Sequence, residues 1–384
     1  MTTVLTLFGT RPEAIKLAPV IRAIREQTNW QPVTVCSSQH TDLLIPFVQQ
    51  LSIPIDFDLQ VMTSGQTPTD VLSKVVTGLQ KILTDTAPDL VLVQGDTTTA
   101  LAGALAASYQ KIPVGHVEAG LRTGNRMSPF PEELNRRIIG QTADLHFAAT
   151  RANAAALLRE GINPDDVFDT GNTVVDSLKF ILNNSTPSEQ LAELLVSLAG
   201  KKIVAMTTHR RENFGDVMVG YMRCIRDFAE RHPEVAVVFP VHPNPNVSQT
   251  ALHELSGRER IHLVEPLRYS DFIHLLSKAW LIASDSGGVV EEAPTLGKPV
   301  LVLRDTTERP EAVDCGVAKL VGHSPQQLDL MLEETLASDE WPMAARRVIN
   351  PFGSGDASQR IVKAIESRFG ARWAKNNSKL VAVK

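Results

Sequence analysis

Short apolar runs punctuate the chain at residues 4–8, 32–36, 90–93, 112–116 and 145–148, and between them apolar residues return at helical spacing. Runs apolar on both faces, separated by amphipathic helices, predict parallel strands buried on each side. The rhythm restarts after Gly200, with runs at 203–207, 235–239, 261–264, 281–283 and 300–303. The pattern therefore predicts an α/β chain of two Rossmann-like, doubly wound domains with an active-site cleft between them, because such sheets carry ligands beyond the carboxyl ends of their strands. The segment from Gly171 through the polar stretch 183–190 reads as a hinge. The expected division is 1–171 for the first domain and 172–353 for the second. A last amphipathic helix and frayed tail, 354–384, would cross back onto the first domain.

At 384 residues the chain has room for two such domains. Its 43 acidic and 38 basic residues leave a net charge of −5, and no basic run marks a nucleic-acid groove. Cys36, Cys224 and Cys315 are scattered and form no Cys-x-x-Cys, so neither a disulfide framework nor a metal site is indicated. No leader or membrane-spanning run is evident, and a cytoplasmic setting without membrane attachment is expected.

Candidate chemistry falls in the connections after the strands. Gly9-Thr10-Arg11-Pro12 has a capping threonine and a first-turn proline, with Arg11 and Lys16 placed to neutralise phosphate at a helix start. A capped helix with solvated basic residues would explain the same spacing. Ser286-Gly287-Gly288 opens a second helix whose glycines would let a diphosphate approach the main chain, and Glu292 one turn on could take a ribose diol. An ordinary cap followed by acidic residues suited to the helix dipole is the alternative.

Asp96, Glu118 and Glu132 come from three successive connections and could share acid and base duties. Helix capping or ion pairs with Arg122, Arg136 or Arg137 would serve equally for any one of them. Among ten histidines, His209 stands out, since it follows a strand and precedes Arg210-Arg211. His116 reads as a packing or hydrogen-bonding residue. The chain lacks the dinucleotide, Walker, zincin and nucleophile-elbow fingerprints, so a nucleotide held as substrate fits better than a bound cofactor, and none is expected.

The ordered motifs GTRPEAIKLAP, QGDTTTA, GHVEAGLRTG, SPFPEELNRR, TGNTVVDSL, THRRENFG, PVHPNPNV, SDSGGVVEEAP and LGKPVLVLRDTTERPEA run from Val4 nearly to Arg368. In these the chain resembles the non-hydrolysing UDP-N-acetylglucosamine 2-epimerase family, of GT-B type fold. The resemblance implies reversible inversion at C2 to UDP-N-acetylmannosamine, by elimination of UDP and its readdition, for cell-surface polysaccharides. It places Asp96, Glu118, Glu132 and His209 at catalytic positions. Arg11, Lys16, Phe272, Ser286, Gly287, Gly288 and Glu292 would contact UDP. A homodimer is also implied, and Gln39 and His40 would stand at an allosteric site for a second substrate molecule. Departures lie at Val290, where glutamine is usual, at the late glycine turn Gly353 to Asp356, and at Thr41, Asp42 and Gly65 beside the allosteric position. A GT-B glycosyltransferase, a hydrolysing epimerase, an epimerase of a related diacetylated UDP-amino sugar and a non-catalytic sugar-nucleotide sensor are the competing readings.

Overall fold

The computed structural model describes residues 1–39 and 44–381, so His40, Thr41 and Asp42 lie outside the described residues. The chain forms two compact units, Met1–Ser177 with Phe352–Lys384, and Leu178–Pro351. No helix among the described residues is long and apolar enough to cross a membrane.

The first unit is built on a parallel sheet of β1 (Thr2–Phe8), β2 (Trp30–Cys36), β3 (Phe57–Asp58), β4 (Leu90–Gln94), β5 (Val114–Ala119), β6 (Leu145–Ala148) and β7 (Val167–Asp169). They lie in the order β3-β2-β1-β4-β5-β6-β7. Leu5 and Leu7 of β1 and Val91 and Val93 of β4 are buried against Val75, Leu79 and Leu83 of the helix Pro68–Thr86. Each such side chain removed from water contributes about 2 kcal/mol, which is why both faces of these strands can be apolar. The order reverses between β1 and β4, and that switch point opens a crevice at the strands' carboxyl ends.

Helix Ala357–Val381 belongs to this unit. Asp176, itself buried, accepts hydrogen bonds from the amides of Ala357 (3.2 Å) and Ser358 (2.8 Å) and from the Ser358 hydroxyl (2.7 Å), satisfying donors that the first helical turn leaves open.

The second unit carries β8 (Lys202–Thr207), β9 (Val235–Pro240), β10 (Ile261–Val264), β11 (Leu281–Ser284), β12 (Val300–Val302) and β13 (Ala318–Leu320), in the order β10-β9-β8-β11-β12-β13. Its core joins Val204 and Val237 to Ile225 and Phe228 of the helix Asp216–Arg231, all fully buried. Here the order reverses between β8 and β11. The second switch point therefore lies between the loops that follow Thr207 and Ser284.

The strand expected at 112–116 begins instead at Val114. Pro113 has no N–H to give the ladder, and the Ile112 amide is spent on the Ala107 carbonyl, closing the preceding helix.

Candidate functional site

In the first unit, β1 runs into the helix Arg11–Arg25 through Gly9 and Thr10. A side chain on Gly9 would meet Ser37 Oγ at 2.1 Å and Thr99 Oγ1 at 2.6 Å, so only glycine lets the strands close here. Thr10 stands at the N-cap in extended backbone and forms a capping box with Glu13, to whose Oε2 its hydroxyl donates at 2.8 Å. Glu13 is almost wholly buried. Its Oε2 takes the amides of Gly9 (3.0 Å) and Thr10 (2.8 Å), and its Oε1 takes the Thr97 hydroxyl (2.6 Å). Two amides of the loop that leads into this helix are thus already paired with the protein's own carboxyl group. Burial pushes Glu13 up to about 7, against the pull of its donors. Arg11, on the first turn, is exposed.

Lys16 reaches across to β5, where its Nζ lies 2.5 Å from Glu118 Oε1, both side chains being 10% exposed. Asn172 donates to the same oxygen at 3.3 Å, and Gln94 at the end of β4 donates to Oε2. Glu118 holds a left-handed backbone, φ +63°, and the pairing register between β5 and β6 shifts around it. A non-glycine residue kept there is strained by roughly 1–3 kcal/mol, and the donors around its carboxylate over-determine the position.

Asp96 follows Gly95 at the end of β4. Its Oδ2 lies 2.6 Å from Arg136 Nη1, and its backbone carbonyl accepts from Asn135 at 2.8 Å. Both partners sit on the helix Glu132–Thr142. That helix also carries Glu132, whose Oε2 is buried with no hydrogen-bond partner among the described residues. Neighbouring Glu133 instead braces the loop before the helix, pairing with Arg136 and Arg137 and accepting the amides of Thr123 (3.0 Å) and Gly124 (3.3 Å). Burial works against its charge, yet the Thr123 amide and Arg136 hold its carboxyl below the usual range. Asp96 is therefore tied through Arg136 and Asn135 to the helix that carries Glu132, while Glu118 sits in a separate cluster with Lys16, Gln94 and Asn172. Arg136, named from sequence only as a possible ion-pair partner, is one for Asp96; Asn135, Gln94 and Asn172 were not singled out as site residues, each being an ordinary polar residue whose partner is distant along the chain.

Gln39 accepts the Thr99 hydroxyl at 2.8 Å, beside the start of the same unit's helix Thr98–Tyr109.

In the second unit the loops after β8 and β11 are locked by Asp285, which is fully buried. It accepts from the Thr208 hydroxyl (2.7 Å), the amides of His209 (3.0 Å) and Arg210 (2.9 Å) and Asn213 Nδ2 (3.0 Å). His209 Nδ1 lies 3.3 Å from Asp285 Oδ1, and its ring stacks on His242 with centroids 5.5 Å apart. Asp285 thus orients the imidazole, much as a carboxylate orients a catalytic or metal-bound histidine.

The helix Gly287–Leu296 starts at Ser286, which makes no side-chain cap, so its first-turn amides have no acceptor within the helix. Of the two glutamates on this helix, Glu291 pairs with Arg309 at 2.6 Å, while Glu292 accepts the Tyr269 hydroxyl at 2.6 Å. Tyr269 opens the helix Tyr269–Lys278 that also carries the half-buried Phe272. Arg309 packs under the glycine turn, its Nη1 3.1 Å from where a Gly287 side chain would start.

A sequence profile described as UDP-N-acetylglucosamine 2-epimerase matches residues 22–366. The UDP-N-acetylglucosamine 2-epimerase of Salmonella typhimurium is 44% identical over 369 residues, covering 95% of this chain and 98% of that protein. A crystal structure of the Neisseria meningitidis UDP-GlcNAc 2-epimerase bound to UDP-GlcNAc is 42% identical, with a TM-score of 0.89 over 95% of this chain and 100% of that one. The Methanocaldococcus jannaschii enzyme, in complex with UDP-GlcNAc and UDP, is 35% identical with a TM-score of 0.81, over 96% of this chain and 100% of that one. These structures share the two parallel α/β sheets of the GT-B type. The chain belongs to the UDP-N-acetylglucosamine 2-epimerase family.

Proposed function

We propose that this chain interconverts UDP-N-acetylglucosamine and UDP-N-acetylmannosamine by eliminating UDP and adding it back. The observation that carries the mechanism is the carboxylate set of the first unit. Asp96 is paired with Arg136, Glu118 is clamped by Lys16, and Glu132 keeps a buried oxygen without a partner among the described residues, so three carboxyl groups sit in three different environments. Groups whose surroundings differ in this way can act as acid and base in one reaction.

The C2 hydrogen of the sugar is poorly acidic because no carbonyl adjoins it. As the C1–O bond to UDP lengthens, positive charge at C1 makes C2 easier to deprotonate. The C2–H electron pair becomes the C1–C2 double bond of 2-acetamidoglucal, the C1–O pair leaves on UDP, and the proton passes to a carboxylate. Readdition of UDP with a proton delivered to the opposite face of C2 gives the epimer. Asp96, Glu118 and Glu132 are the groups assigned to proton traffic at C2.

The second unit serves the nucleotide. The amides of Gly287 and Gly288, with Ser286 at the N-cap, receive the diphosphate; Glu292, braced by Tyr269, takes the ribose and Phe272 lies by the uracil. With His209 Nδ1 turned to Asp285, Nε2 is the nitrogen that donates to the departing oxygen. Gln39 and His40 remain the candidates for a regulatory substrate contact. The setting is cytoplasmic, the working form a homodimer, and the product feeds cell-surface polysaccharide.

Positional isotope exchange tests the bond cleavage. With heavy oxygen in the bridge between C1 and the β-phosphate, reversible elimination scrambles the label into the non-bridging positions of recovered substrate. Epimerisation without scrambling would refute cleavage at C1.

A further inference from the structure

His116 takes no part in the steps above, yet it lies fully buried on β5 with Nε2 2.7 Å from the Gly95 carbonyl oxygen. A carbonyl only accepts, so this nitrogen carries the hydrogen and Nδ1 is the bare one. Nδ1 has no partner among the described residues. Burial pushes the imidazole down to about 3; the Gly95 bond opposes that, while His146, Arg122 and Arg136 add to it. The ring is therefore neutral near neutral pH and serves there as a fixed donor, not as an acid or base. A valine or leucine would fill a strand interior without stranding a buried nitrogen, so packing alone does not account for histidine here.

What the donor holds is the turn that delivers Asp96. Gly95 adopts φ +71°, and its amide donates to the Val117 carbonyl at 2.9 Å. Its carbonyl belongs to the peptide plane shared with Asp96. β5 thus grips Gly95 at both ends, by Val117 on the amide and by His116 on the carbonyl. Beyond it, Asn135 fixes the Asp96 carbonyl and Arg136 its carboxylate. Without the His116 bond the Gly95–Asp96 plane can rotate about a left-handed glycine, the most permissive backbone available, and Asp96 swings with it.

We propose that His116 is a positioning residue that locks the Gly95–Asp96 peptide and so aims the Asp96 carboxylate at the sugar's C2 proton. This rests on the reading of Asp96 as a proton-handling group. The comparison is between His116→Gln, whose amide nitrogen reaches about as far as Nε2, and His116→Asn, whose amide falls short. His116→Phe serves as a second variant, filling the volume with no donor. The Asn and Phe variants are expected to lose ~10–100-fold in kcat with KM within about threefold, and the Gln variant to recover most of it, as a displacement of about 1 Å near reacting groups predicts. C2 hydrogen exchange with D2O should fall in step with kcat, while UDP affinity stays unchanged. Asp96→Asn is assayed alongside. Turnover surviving in Asp96→Asn would overturn the role of Asp96 itself, and the positioning role with it. An inactive Asp96→Asn combined with equal kcat in the Gln and Asn variants would overturn only the positioning role of His116.

Discussion

Lys16 Nζ lies 2.5 Å from Glu118 Oε1, so a residue suited by its sequence position to a diphosphate is already committed to a carboxylate on the neighbouring part of the sheet. Removing one partner of a buried pair leaves the other charge uncompensated, at a cost of about 3 kcal/mol or more. Lys16→Met should therefore destabilise the protein by about that much, and adding Glu118→Gln should return about 2 kcal/mol of it, giving strong coupling in a double-mutant cycle. Urea unfolding of the four proteins measures this. Additive losses would show that the pair contributes no coupling.

Glu13 predicts a pH dependence of stability. Its folded pKa is raised from 4.5 to about 7, so the folded state binds this proton more tightly than the unfolded chain does. The contribution is fully present below pH 4.5 and is lost as pH rises through about 7, a change of about 3 kcal/mol. Glu13→Gln cannot ionise and should lack that slope. Denaturant titrations at about pH 5 and about pH 8 decide it; parallel behaviour of the two proteins would mean that Glu13 is ionised throughout.

Asp285 holds the loop after β8 through four donor groups, two of them main-chain amides. Asp285→Asn places an amide nitrogen against some of these donors. It should cost about 3 kcal/mol and lower kcat, because His209 loses its orienting partner. Calorimetry and steady-state rates on the same preparation would show whether both fall; a stable, fully active variant would remove Asp285 from the account.

Tyr269→Phe takes away the hydroxyl that braces Glu292 and nothing else from the apolar packing. Weakening one hydrogen bond to a charged group should raise the Kd for UDP by roughly five- to tenfold with kcat nearly unchanged. Titration calorimetry with UDP is the check. Unaltered affinity would separate Glu292 from the ribose.

Much of the fold was legible because parallel strands buried on both faces announce themselves as apolar runs: β1, β4, β6, β8 and β9 fall where those runs lie. The edge strand β10 also falls on its run at 261–264, but the edge strands β3 and β13 were not read. β3 has two residues and β13 is Ala-Lys-Leu, too short and too polar for a period to register. The site was legible as loops and not as contacts. Asp285 and Thr208 are 77 residues apart and meet only because β8 and β11 are neighbours at the switch point. Thr10, read as a helix cap, stands at the N-cap, but Glu13, which completes its capping box, was not read. Asn172, read only as part of a hinge, turns its amide to Glu118. A sequence displays donors and acceptors, but pairing is settled by topology.

Elimination and readdition require that the hydrogen at C2 be exchanged with a protein group open to solvent during turnover. Proton NMR of the enzyme with UDP-N-acetylglucosamine in D2O follows the C2 hydrogen and the anomeric signals together. Elimination and readdition would yield UDP-N-acetylmannosamine carrying deuterium at C2, with deuterium also entering the remaining substrate. Inversion with the original hydrogen retained at C2, or intact substrate under conditions where UDP still binds, would contradict it.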